Sequence, residues 1–343
     1  MTARDLAPSL EPPIDLPEIQ RGVWCPLPAS DPVAAHLTSH YWDKPEPPAA
    51  WEVARLSQAV YLYRETRTHH AVVTKFYSIK TRDAAERHAR QELELTQQAR
   101  AAELAEGSIR ALQPLGVFQG VLLLEYVNGL TLQDVIAVRR HRPGTLLPAL
   151  QQAGELLATL HRHAIRPDAS PDFATPLHKT RGYIETLVKF GVLADDPLIG
   201  AGLGRLIDRW DAKPVMRAYA PALTHGDATT TNFVYPWEGG VVGIDWERLQ
   251  PGDPAADLGR LLAEVTHSIT QHGGNVAEAL PDIEYLADAY YRALPGDWDQ
   301  AALSERARFY QAASTLRIAR NGWVSRLDRT ALVAQALALL ADC

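Results

Sequence analysis

The hydrophobic pattern changes character once along the 343 residues, near Asn128-Gly129, and that change constrains the fold more than any other feature. Before it, from about residue 51, short runs of β-branched and aromatic residues dominate. Val60-Tyr-Leu-Tyr63 and Ala71–Tyr77 read as a hairpin with a long polar loop, and the nearly unbroken apolar run Val121–Val127 reads as an inner strand. Ile109–Phe118 is a further apolar run. Arg82–Leu104, free of Gly and Pro and rich in Ala, Glu, Gln and Leu, predicts one helix among them. After Asn128-Gly129 the period becomes helical: Thr131–Arg140, Leu147–His163, and further helical segments to Leu332–Ala341. Strands with one helix, followed by mostly helices, imply an α+β fold in two parts. The expected division is a proline-rich extension over 1–50, which either drapes over the body or is mobile, a small β-rich lobe over 51–127, and a larger helical lobe over 128–343. Ten of the 24 prolines fall in the first 50 residues.

Composition removes several function classes. Lys+Arg 34 against Asp+Glu 41 gives a net charge of −7, which argues against a binder of phosphate backbones, so no nucleic-acid partner is expected. The only cysteines, Cys25 and Cys343, support neither a disulfide framework nor a structural zinc site. The N-terminus carries no apolar core of a signal peptide, and runs such as 121–124 are far too short to span a bilayer. A cytoplasmic chain with no membrane partner is the expectation.

Polar residues of unusual type collect in 223–258. His225-Gly-Asp227 and Asn232 lead into Phe233–Asp245, which reads as a β-hairpin turning at Glu238-Gly239. In that register Asn232 faces Asp245, with Cβ atoms roughly 4.5–5.5 Å apart, and two oxygen-bearing side chains meet where a hard cation such as Mg²⁺ fits. A turn at Gly239-Gly240 would shift the register by two and separate them. Asp227, on the loop entering the hairpin, is placed to hold or deprotonate a hydroxyl. Asp253-Pro254 marks a helix start, and Asp257 on the same face either favours the positive helix end or braces the Asp227 loop. Lys75 lies among apolar strand residues: either its ammonium snorkels outward, or it meets Glu92 or Glu94 of the following helix.

Three stretches, His225-Gly-Asp-(four residues)-Asn232, Ile244-Asp-Trp-Glu247 and Gly252-Asp-Pro-Ala-Ala-Asp-Leu258, resemble in order the aminoglycoside phosphotransferase and choline kinase superfamily of protein-kinase-like small-molecule kinases. Leu157–His161 is similar to the helix before that family's catalytic loop, and Leu124–Leu132 to its interlobe hinge. The resemblance implies a bilobal fold and Mg²⁺-dependent transfer of phosphate from ATP, or GTP, to a hydroxyl of a small molecule. It implies Asp227 as the base or hydroxyl-orienting residue and Asn232 and Asp245 as Mg²⁺ ligands. Lys75, positioned by Glu92, would contact the α/β-phosphates, and the backbone of Glu125, Tyr126 and Val127 would hold the adenine. His225 and Asp257 would support the catalytic loop.

The sequence departs from the family pattern at two places: no glycine in Arg55–Val60, where a phosphate-covering loop belongs, and a threonine run, Thr229–Thr231, after Asp227. These motivate a second reading, a nucleotide-binding pseudokinase or regulatory module without turnover. A third takes His225, Asp227 and Asp245 as ligands of a metallohydrolase. The acceptor stays open. Trp246, Glu247, Tyr285, Tyr290, Tyr291, Trp298 and Trp323 offer faces for a cation, as in aminoglycosides or choline, whereas Arg317 and Arg320 suit an anion.

Overall fold

A computed structural model describes residues 20–42, 46–77, 81–189, 191, 193 and 197–341. The first 19 residues of the proline-rich stretch, and Cys343, lie outside them. Contacts divide the chain into two compact units: one runs to Ala101 and includes Ala111–Asn128, the other holds Ala102–Arg110 and everything from Gly129.

The first unit is a six-stranded antiparallel sheet with two helices. In chain order it has β1 (Trp24–Pro26), α1 (Pro32–His40), β2 (Trp51–Arg55), β3 (Val60–Glu65), β4 (Ala71–Lys75) and α2 (Arg82–Ala99). Then come β5 (Ile109–Ala111), β6 (Pro114–Phe118) and β7 (Val121–Glu125). The sheet order is β1-β2-β3-β4-β7-β6, while β5 joins the sheet of the second unit. The expected run Ile109–Phe118 is thus two strands in different sheets, and Pro114, lacking an N–H, stands at the first position of the second. Residues 24–40, within the proline-rich stretch, are ordered: β1 pairs with β2, and Val33, Ala34 and Leu37 of α1 are buried. That α1 stripe packs on one sheet face with Val53, Tyr61, Tyr63, Val72, Val121 and Leu123. Alternation puts every second strand residue there, so Leu122 and Leu124 point to the opposite face and β7 is buried on both. α2 stops at Ala99, before the predicted Leu104, because Ala102 and Glu103 leave helical geometry, Glu103 with φ +59°.

The second unit is helical around small sheets. β8 (Gly129–Thr131), α3 (Leu132–Val138), α4 (Leu146–His163), α5 (Ala174–Lys189) and α6 (Pro197–Asp211) precede β9 (Ala222–Thr224). β10 (Phe233–Pro236), β11 (Val241–Gly243) and β12 (Gln250–Gly252) lead into α7 (Pro254–Gln271), α8 (Val276–Ala293), α9 (Gln300–Ala319) and α10 (Arg326–Ala341). α3 opens on a capping box, Thr131 and Asp134, each side chain bonded to the other's backbone N–H. One sheet runs β5-β11-β10-β8, and β12 pairs with β9. Among the described residues no helix is long and apolar enough to cross a membrane.

Glu65, fully buried at the end of β3, is held ionised by its loop. Its carboxylate accepts from the amides of Ala49 (2.8 Å), Arg67 (3.1 Å) and Thr68 (2.6 Å) and from the Thr68 hydroxyl (2.7 Å). Burial alone would raise its pKa, but these donors win and lower it to about 2. An unfolded carboxyl titrates near about 4.3, so on acidification the unfolded chain takes up this proton first. The stability Glu65 contributes is therefore complete above about pH 4.3 and lost as pH falls towards 2. Urea unfolding at pH 6 and pH 3 should show a smaller loss for Glu65→Gln than for the parent. The substitution itself should cost on the order of 2 kcal/mol at pH 7.

Candidate functional site

The loop 225–232 leaves β9 and enters β10, and its two ends are fixed by pairings made later in the chain. β12 returns to β9, with Gln250 opposite Thr224, and the Thr224 hydroxyl donates to the Gln250 carbonyl at 3.0 Å. At the other end, β10 and β11 form the expected hairpin in a different register. Phe233 faces Gly243 and Val234 faces Val242, one residue away from the pairing predicted by a two-residue turn. The cause is a three-residue turn. The Gly239 amide donates to the Pro236 carbonyl at 3.0 Å and Gly239 takes φ +99°, the left-handed position that such loops reserve for glycine. Asn232 therefore receives the amide of Ile244 at 3.0 Å, and Asp245 is the residue beyond the paired row. Asp245 turns out of the strand with φ +62° into the short 3₁₀ turn Trp246–Arg248.

Asp257 reaches this loop from the first turn of α7. Its carboxylate accepts the amides of His225 (2.5 Å) and Gly226 (3.0 Å), and His161 Nε2 donates to it at 3.2 Å. Burial opposes its ionisation, yet the His161 hydrogen bond and the nearby positive groups hold its pKa below the usual range. Behind it, the Tyr290 hydroxyl donates to His161 Nδ1 at 2.8 Å, so α4 and α8 are tied to the same carboxylate. His161 stands on the stripe that buries Leu157 and Leu160, and sequence reading noted it only as part of a motif. Asp253 caps α7 through the Ala255 amide and accepts from Arg306 Nε at 2.9 Å.

His225 is fully buried against Trp246, ring centroids 4.4 Å apart. Burial pushes its pKa down, against the pull of Asp257, Asp227 and Asp245. The neutral ring donates from Nε2 to the Ile244 carbonyl at 3.0 Å, leaving Nδ1 to accept the Asp227 amide at 3.4 Å. Such a ring, spent on two backbone groups, offers no nitrogen to a metal, which removes the ligand set of a metallohydrolase. Gly226, between the two, has φ +76°, and a Cβ there would stand 2.3 Å from the Arg248 carbonyl oxygen.

Asp227 emerges from this turn partly exposed. Arg260 Nη1 donates to its Oδ1 at 2.5 Å, and Arg248 Nη1 lies 3.5 Å from Oδ2. Neither arginine is flagged by any motif. Asn232 Nδ2 donates to the Asp227 carbonyl at 2.9 Å, and its Oδ1 accepts from the Thr231 hydroxyl at 3.4 Å. One carboxylate oxygen of Asp245 lies within 4.8 Å of one from Glu247. An amide oxygen and carboxylates are hard donors, and this set fits Mg²⁺ rather than a thiophilic metal. The threonines serve the loop itself: Thr229 and Thr231 hydroxyls bond each other at 3.0 Å, and buried Thr230 bonds Ser268 at 3.2 Å.

In the first unit, Lys75 Nζ meets Glu92 at 2.9 Å, and the Tyr77 hydroxyl donates to the same carboxylate at 2.6 Å. Glu92 is buried on the inner stripe of α2, whereas Glu94 is exposed. β4 pairs with β7, Lys75 opposite Leu122 and Val72 opposite Glu125. The ammonium and the backbone of Glu125, Tyr126 and Val127 are thus on neighbouring strands, about three residues or 10 Å apart along them.

A family model described as "Phosphotransferase enzyme family" matches residues 53–303. No curated protein sequence matches the chain significantly. Solved structures do resemble it in fold. The streptomycin–ATP ternary complex of APH(2'')-IIa is 14% identical with TM-score 0.54, over 92% of this chain and 97% of that one. A choline/ethanolamine kinase family protein from Mesorhizobium loti is 19% identical with TM-score 0.53, over 90% and 93%. An ethanolamine kinase from Plasmodium vivax is 11% identical with TM-score 0.52, over 84% and 82%.

Replacing Asp257 by Ala strands two loop amides and His161 in the core, and should cost about 3 kcal/mol of unfolding free energy in urea titrations. Asp257→Asn, which retains an acceptor oxygen, should lose less.

Proposed function

The chain belongs to the phosphotransferase enzyme family, and from that premise we propose that it transfers the γ-phosphoryl group of ATP or GTP to a hydroxyl of an aminoglycoside-, choline- or sugar-like small molecule. The observation that carries this reading is the fixed position of Asp227. Its backbone is held by the turn that Asp257 braces, and its carboxylate is aimed by Arg260, one loop away from the oxygen donors Asn232 and Asp245.

In this reading Asn232 and Asp245 hold Mg²⁺, which when bound neutralises phosphate charge. Lys75, kept in place by Glu92, contacts the α/β-phosphates, and the backbone of Glu125–Val127 receives the adenine. Asp227 orients the acceptor hydroxyl for in-line attack and takes its proton. The acceptor oxygen bonds to the γ-phosphorus as the bond to the bridging oxygen breaks, and that electron pair leaves on the nucleoside diphosphate. Little covalent work falls to the protein, so placement of charge and of the attacking oxygen sets the rate. His225 and Asp257 act at one remove, by fixing where Asp227 stands. The glycine-free segment 55–60 leaves the phosphate grip to Lys75 and the metal ligands.

Asp227→Asn should lower acceptor-dependent ADP release by about 10²-fold or more, with nucleotide affinity in calorimetry changed only a few-fold. Asp245→Ala should abolish the Mg²⁺-dependent part of that affinity. A parent protein that binds neither ATP nor GTP with Mg²⁺ would overturn the proposal. Binding without turnover on any acceptor would favour the regulatory module.

A further inference from the structure

Within the second unit a cavity of about 870 Å³ opens beside Gly226 and the two arginines that hold Asp227, and its charges differ from one end to the other. Its walls are one face each of α5, α7 and α9. Lys179 and Tyr183 stand four apart on α5, Arg260 comes from α7, and Arg317 and Arg320 come from the end of α9.

The carboxylates here are already matched. Asp227 is held by Arg260 and Arg248, Glu247 at the loop end of the cavity lies 3.9 Å from Arg248, Glu264 is held by Arg317, and Asp253 by Arg306. Asp257 is spent on the amides of the loop, and Asp172 on the Thr175 amide that begins α5. The cations are not all matched. Among the described residues Arg320 makes no salt bridge and no side-chain hydrogen bond, only a stacking contact with Tyr183 at 4.5 Å, and its Nε has no acceptor. Lys179, exposed at the same wall, also makes no salt bridge among the described residues. Arg317 Nε, too, lacks an acceptor.

Of the aromatic residues in the wall, Tyr183 is already stacked on Arg320 and Tyr310 is buried, and those singled out in the sequence lie elsewhere. Trp246 and Tyr290 are core side chains, and none of Tyr285, Tyr291, Trp298 and Trp323 lines this cavity. A cationic acceptor would therefore meet an ammonium and guanidinium groups, while among the described residues the lining carboxylates, Glu247 beside Arg248 included, are already engaged. An anionic group would find the terminal N–H donors of Arg320 and the ammonium of Lys179.

We propose that this cavity receives an anionic alcohol: a small molecule that offers a hydroxyl near Asp227 and a carboxylate or phosphate to Arg320 and Lys179. The assignment deepens the phosphotransfer reading and rests on it for the role of the hydroxyl. It selects hydroxy acids, sugar acids and sugar phosphates over aminoglycosides and choline.

The test uses the full chain with Mg²⁺ and a non-hydrolysable ATP analogue. Calorimetry would measure affinity for a panel of hydroxy acids, sugar acids and sugar phosphates against kanamycin and choline. The expected result is binding of at least one anionic member, weakened 10-fold or more in both Arg320→Gln and Lys179→Gln. Melting temperatures of both variants within a degree or two of the parent would show that they fold. Binding of kanamycin or choline alone, no binding by any member, or anion binding untouched by both substitutions would each overturn the proposal. ADP release with ATP, followed in parallel, separates the two readings. An anion that binds through Arg320 and Lys179 but is never phosphorylated upholds the cavity assignment and counts against phosphotransfer. Turnover of a cationic acceptor does the reverse.

Discussion

A buried carboxylate, that of Asp257, holds the loop from which everything else in the site projects. Burying a charge costs several kcal/mol unless donors surround it, and here two amides and an imidazole do so. The amides belong to His225 and Gly226, consecutive residues in a turn that only glycine can make at the second position. The carboxylate thus converts a flexible dipeptide into a fixed mount for Asp227. The chain Tyr290–His161–Asp257 extends that rigidity into α4 and α8, so the mount is anchored to the helical core rather than to its own strand.

α7 supplies more than the brace. Asp257, Arg260 and Glu264 follow one another at spacings of three and four, so they lie along one face. In order they hold the loop amides, the Asp227 carboxylate and Arg317 of α9. Opposite charges alternate along that face, and each is met by a group from a different element. The same row explains the charge of the neighbouring cavity. Its acids are consumed in aligning the site, and the bases at its far end are left over.

The order of elements was legible because hydrophobic period reports burial directly, and the alternation in Tyr61 and Tyr63 or the i, i+4 stripe of α4 admits few other foldings. The loop 225–232 and the cap at Asp253-Pro254 were legible because rare residue types must stand there for backbone reasons. The hairpin register was not. It turns on whether Gly239 ends a turn or serves as its third residue, a choice of backbone torsion that the apolar arms do not encode. Glu92 and Glu94 were indistinguishable by composition, since only the phase of α2 against the sheet buries one and exposes the other. Arg248 and Arg260 were invisible for a different reason: a long charged side chain on a helix or loop is ordinarily solvated, and its carboxylate partner comes from a segment distant in sequence.

The β9–β12 pairing has a topological consequence. Thr224 and Gln250 are neighbours in space, and the chain between them carries Asp227, Asn232 and Asp245 inside a closed noose. The noose is closed by β12 on β9, by Asp257 on the amides of His225 and Gly226, and by the Ile244 amide on the Asn232 carbonyl. The amide of Leu223 goes to the Ala164 carbonyl and those of His225 and Gly226 to Asp257, so the noose is tied to α4 and α7 as well as to its own closing strand.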